Sequence, residues 1–151
     1  MIPPFDRSGN LPPGVHSAEW VEIISHYGVT SRRHTLLAGL RDALRNLQNA
    51  GCPLAYIDGS FVTIKPEPGD YDVCWAIAGV TPELLDPVLL DFSDGRAAQK
   101  ARYGGELFPA ELPEKDSGRT FLEFFQTDRE TGKPKGIIVL DLETLDLTEE
   151  A

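Results

Sequence analysis

The chain has 151 residues, 24 Asp and Glu against 14 Lys and Arg, a net charge of −10 and 41% hydrophobic residues. That is enough apolar chain for one domain with a core, and the acid excess excludes broad nucleic-acid binding through phosphate neutralisation. Five of the acids (Asp141, Glu143, Asp146, Glu149 and Glu150) fall in the last eleven residues, with no base among them. No apolar run approaches the roughly 20 residues of a membrane span. Cys52 and Cys74 form no C-x-x-C, and His16, His26 and His34 complete no zinc pattern. The expectation is a cytoplasmic chain with buried, inert thiols and no membrane partner.

Residues 1–16 are rich in proline and glycine and predict an extended arm on the surface. A domain follows over 17–142, and 143–151 read as an acidic, frayed tail. Ser17 is the expected cap of a short helix, with Trp20, Ile23, Ile24 and Tyr27 on one face and Gly28 as its stop. A longer helix follows, capped by Thr30 or Ser31, striped by Leu36, Leu37, Leu40, Leu44 and Leu47, and ended by Gly51. Arg32, Arg33, Arg41 and Arg45 are assigned to its solvated faces.

Residues 53–57 (PLAYI) read as a strand, and a second runs from near Asp70 to Ile77. Thr81-Pro82-Glu83 looks like a helix start with an apolar face through Phe92, broken at Pro87. Residues 95–103 read as another short helix and 106–108 as a brief strand. Strands over 120–126 and 136–142 would be joined by the hairpin loop TDRETGKPK. Without strict βαβ alternation, the class is α+β: a mixed sheet with helices packed on it.

The segment YIDGSFVTIKPEPGDYDV, residues 56–73, carries the chemistry. Period-two geometry puts Asp70 and Asp72 on one face of a strand. Two carboxylates so placed in a partly desolvated site need a cation between them, and Mg²⁺ suits carboxylate and phosphate oxygens. Gly59 permits close backbone approach, and Ser60 offers a hydroxyl and amide donors to a phosphate. The pattern so far resembles that of the polymerase-beta-like nucleotidyltransferases, and the resemblance implies a third acid that completes the metal site. Glu106, on a short strand directly after a helix, is the first choice, ahead of Glu123 and then Asp141. Lys100 and Arg102, just before Glu106, suit either a pairing with phosphates or an exposed helix face.

Gly-Ser, a spacer of about this length and Asp-x-Asp resemble the signature of the polymerase-beta-like nucleotidyltransferase superfamily. The stretches IPPFDRSGNLPPG, DGSFVTIKPEPGDYD and FFQTDRETGKPKGIIVLDL extend the likeness to a group of small bacterial nucleotidyltransferase-like proteins. The resemblance implies a nucleotidyltransferase-like sheet, with Gly59 and Ser60 binding nucleotide and Asp70 and Asp72 binding metal and carrying catalysis; Glu106, from its own position, is the first choice to complete the metal and catalytic set, and Lys100 is a candidate nucleotide contact. It implies two-metal transfer of a nucleotidyl group from a nucleoside triphosphate to a protein or RNA hydroxyl. The alternative is a catalytically idle version of the fold, an antitoxin-like or regulatory partner of a toxin or other protein, using the arm and tail as contact surfaces. Three features depart from the pattern: Phe61-Val62-Thr63-Ile64 follows Gly-Ser where an Arg is usual in minimal members, Pro66 and Pro68 interrupt the spacer, and the third acid is Glu.

Overall fold

Short apolar strands with acids at their ends set the architecture. The computed structural model describes residues 1–149. In it β1 (Gly14–Ser17), β2 (Leu54–Asp58), β3 (Tyr71–Trp75), β4 (Gly105–Pro109) and β5 (Gly136–Asp141) form one sheet in the order β1-β5-β2-β3-β4. The sheet is mixed: β2 runs antiparallel to β5 and β3, whereas β1–β5 and β3–β4 are parallel pairs. Four helices accompany it: α1 (Trp20–Tyr27), α2 (Ser31–Asn49), α3 (Ser93–Tyr103) and α4 (Phe121–Phe124).

Alternation along the strands divides their residues between two faces. Ala55, Ile57, Tyr71, Val73, Leu107, Ile138 and Leu140 join the main core with α1 and α2. Tyr56, Cys74 and Phe108 point the other way, into a smaller cluster with Phe121, Leu122, Phe124 and Phe125. The α2 leucine stripe is fully buried as expected, each side chain contributing roughly 1.5–3 kcal/mol. Thr30 caps α2 by accepting from the Arg33 N–H. Gly39 lets α2 touch the end of α3; a Cβ there would lie 1.9 Å from the Tyr103 carbonyl oxygen. The Tyr71 hydroxyl donates to the same carbonyl at 2.9 Å, tying β3 to the α3–β4 junction.

Several expectations give way. Residues 81–92 form two short 3₁₀ turns, Pro82–Leu84 and Pro87–Leu90, in place of an α-helix. Pro87 lacks the N–H and clashes with the preceding turn, while Asp86 starts the second turn by accepting from the Val88 N–H. The apolar run at 120–126 is no strand but contains α4, because Thr120 and Glu123 close a capping box around it. The first strand of the expected hairpin is therefore absent, although its loop does turn back through an isolated antiparallel bridge between Thr127 and Pro134, and β5 lies between β1 and β2.

Ser17 belongs to β1, and Glu19 takes the cap position of α1. The arm is not confined to the surface, since Ile2 and Leu11 enter the core and residues 14–17 form β1. Nor does the tail fray over 143–149. Leu145 and Leu147 are buried, and Arg41 and Gln48 hold the carbonyls of Leu147 and Leu145. Glu150, assigned to that tail, lies outside the described residues. No described helix is long and apolar enough to cross a membrane.

Candidate metal centre

Strand register builds the site. Asp58 of β2 stands opposite Asp72 of β3, and Asp72 stands opposite Glu106 of β4. In-register residues on neighbouring strands share a face, so three carboxylates lie abreast at one end of the sheet. Asp70, two residues before Asp72, joins them. Asp70, Asp72 and Glu106 each offer an oxygen, and these atoms all lie within 4.8 Å of one another.

The electrostatics follow from burial and crowding. Burial, reinforced by Asp70, Asp58 and Glu106, pushes the Asp72 carboxyl up to about 7. Asp70 is raised by burial and then by Glu106. No hydrogen bond lowers either group. Asp58 is 2% exposed, and burial raises it too. Its Oδ1 faces Lys135 Nζ at 3.1 Å as an ion pair out of hydrogen-bond alignment. At the other end Glu106 meets Arg96 Nε at 2.8 Å and Lys100 Nζ at 3.3 Å. The sheet edge is thus a row of acids bracketed by cations.

Gly59 closes the row from the β2 side. Its φ is +86°, and a Cβ would stand 2.8 Å from Asp72 Oδ2, so the backbone packs where a side chain cannot. Ser60 opens a short 3₁₀ turn, Ser60–Val62, and its carbonyl accepts from the Thr63 hydroxyl at 2.7 Å. Asp72 also separates two clefts. One, about 520 Å³, is lined by Gly59, Ser60, Asp58 and Lys135; the other, about 460 Å³, by Asp70, Glu106, Arg96 and Phe108. Phe124, Phe125 and Arg129 line both.

Chemically, crowded carboxylates open to a cleft, of which Asp70 and Asp72 have no hydrogen-bond donor among the described residues, suit a hard divalent cation. The residues present fit Mg²⁺: Asp70, Asp72 and Glu106 would hold it. The other proposed third acids lie elsewhere. Glu123 is occupied in the α4 capping box, and exposed Asp141 pairs with Leu54 at the opposite end of β2 from Asp58, accepting from the Glu143 N–H.

The chain belongs to the family of unknown function DUF6932. Its model matches residues 3–141. No curated protein and no solved structure matches the chain. The DUF6932 span takes in the arm, the Gly59-Ser60 turn and the whole acidic row, and it ends with β5.

Sequence reasoning finds Asp70, Asp72, Glu106, Gly59 and Ser60, and the structure brings them together. Lys100 does reach the row, but on the Glu106 carboxylate. Asp58, Lys135, Arg96 and Arg33 were missed. Asp58 carried a readable signal: an acid ending an apolar strand, directly before Gly-Ser. Lys135 and Arg96 reach the row only through tertiary structure. Arg33, assigned to a solvated face, is 2% exposed. The histidines serve elsewhere: His16 bonds the Pro12 carbonyl, His26 packs on Phe5 and Tyr27, and His34 is exposed. Both thiols are buried, and burial lifts Cys52 to about 11.

Proposed function

We propose that this chain is a nucleotidyltransferase-like protein that binds Mg²⁺ with a nucleoside triphosphate and transfers the nucleotidyl group to a protein or RNA hydroxyl. The observation that carries the reading is the gathering of Asp70, Asp72 and Glu106 oxygens within 4.8 Å beside the Gly59-Ser60 turn. Bound Mg²⁺ supplies neutralisation of the phosphate charge. The Ser60 hydroxyl binds phosphate oxygens, and Lys135 adds a cation on that side. The acceptor oxygen forms a bond to the α-phosphorus, pyrophosphate leaves, and the hydroxyl proton passes to water in the open cleft.

One observation favours the idle alternative: Glu106 already carries Arg96 and Lys100, an arrangement that needs no metal. The arm and tail, its suggested contact surfaces, bury Leu11, Leu145 and Leu147 against their own domain.

The two readings separate on melting temperature with Mg²⁺ plus ATP, GTP, CTP or UTP, for wild type and Asp70→Asn/Asp72→Asn. A nucleotide-dependent rise in wild type alone, followed by labelled-nucleotide transfer to protein or RNA, supports the enzyme. No rise at millimolar nucleotide supports the idle fold.

A further inference from the structure

The spacer between Gly59-Ser60 and Asp70 contains Pro66 and Pro68 and, beyond the Ser60–Val62 turn, has no regular secondary structure. Its two ends must nevertheless hold the proposed phosphate-binding turn and the metal-binding acids in fixed relation. Its carbonyls would otherwise depend on water. They are taken up by the first residues of α2. The Arg33 guanidinium donates to the carbonyls of Phe61 at 2.6 Å, Thr63 at 2.8 Å and Lys65 at 2.5 Å. The Thr30 hydroxyl donates to the Pro66 carbonyl at 3.1 Å. Arg32 donates through Nε to the Pro68 carbonyl at 3.0 Å, and through Nη2 to the Gly69 carbonyl. Gly69 directly precedes Asp70.

This arrangement runs against local preference. The first turn of α2 has no acid and two arginines, the wrong charge for the positive end of a helix. Arg33 is almost wholly buried against the rings of Tyr27 and Phe61, at 5.6 and 5.0 Å from its guanidinium carbon, and the two rings pack on each other at 5.5 Å. It makes no ion pair among the described residues. Only arginine offers a fork of five donors on a group that stays charged when buried. Local choices that oppose their own element are expected where a site has to be held.

We infer that Arg33, supported by Thr30 and Arg32, is a positioning residue. It clamps the spacer to α2 and so sets the Gly59-Ser60 turn against Asp70 and Asp72. The clamp deepens the nucleotidyltransferase reading and rests on it for its purpose, though not for its existence.

The test compares Arg33→Lys, which keeps the charge but not the fork, with Leu47→Ala, which removes a buried side chain at the far end of α2. Two readouts are taken: amide hydrogen exchange over residues 61–69, and Kd for Mg²⁺ plus ATP. Arg33→Lys is expected to speed exchange in the spacer at least tenfold and raise Kd at least tenfold. Leu47→Ala is expected to lower the melting temperature while leaving both within about twofold. Unchanged spacer exchange in Arg33→Lys, or an equal change in Leu47→Ala, overturns the clamp. If Arg33→Lys does not fold, Arg32→Ala and Thr30→Ala decide, with faster exchange expected at the hydrogen-bonded amides of Ile64 and Lys65. If wild type binds no nucleotide, the functional reading fails while the exchange comparison still decides the clamp.

Discussion

Asp72→Asn should stabilise the metal-free protein at alkaline pH, an unusual outcome for a buried substitution. In the unfolded chain this carboxyl titrates near 3.8, and in the folded protein burial and the neighbouring acids raise it to about 7. Between those values the folded state keeps a proton that the unfolded state has lost. Stability therefore falls as pH rises across the window and levels off above it. Over the full window the loss is roughly 4 kcal/mol, on the order of 10 °C in melting temperature for a chain of this length. Asparagine cannot ionise, so the variant's profile should be flatter. Asp70 and Asp58, raised in the same direction, keep it from being flat. Melting curves from pH 4 to pH 9 in chelator should show near-coincidence at the acid end and the variant clearly higher at pH 8. Mg²⁺ at pH 8 should then raise wild type and leave the variant unmoved. Superimposable profiles, or a variant less stable than wild type at pH 8, would refute the crowded-carboxylate account.

Three further outcomes follow. Lys135→Met leaves the Asp58 charge buried without its cation and should cost about 3–5 kcal/mol in urea unfolding, with most of it recovered in Asp58→Asn/Lys135→Met; no recovery would separate the two residues. Gly59→Ala forces a side chain into a left-handed position 2.8 Å from Asp72 Oδ2, which should cost roughly 1–3 kcal/mol and weaken Mg²⁺ binding, and an unchanged affinity would take Gly59 out of the site. Glu123→Ala should lose about 0.5–2 kcal/mol with its cap yet bind Mg²⁺ as wild type does, as should Asp141→Asn, whereas Glu106→Gln should lose Mg²⁺ affinity measured by calorimetry. The reverse pattern would make Glu123 or Asp141 the third ligand.

What the sequence made legible depended on the range of the cause. The α2 stripe, the Thr30 cap and the shared face of Asp70 and Asp72 follow from local periodicity, and all are present in the fold. The stretch at 120–126 misled because aromatic residues suit strands, yet the capping box of Thr120 and Glu123 settled it as helix. The abreast placement of Asp58, Asp72 and Glu106 required the pairing of three strands, the last of them distant in sequence from the other two. Arg33 misled for a related reason. Its position on α2 looks polar, but the spacer folds over it and supplies carbonyls where solvent was expected.

As a divalent-cation site used with a nucleotide, the acidic row should bind Mn²⁺ in place of Mg²⁺. The most direct measurement is Mn²⁺ binding by electron paramagnetic resonance, with and without ATP, for wild type and Asp70→Asn/Asp72→Asn. Wild type should remove more free Mn²⁺ signal than buffer alone and, with ATP present, more than the same ATP without protein, and the double variant should add nothing in either case. A wild-type protein that leaves the free Mn²⁺ signal intact at millimolar concentration, or a double variant that binds as well as wild type, would contradict this role for the row.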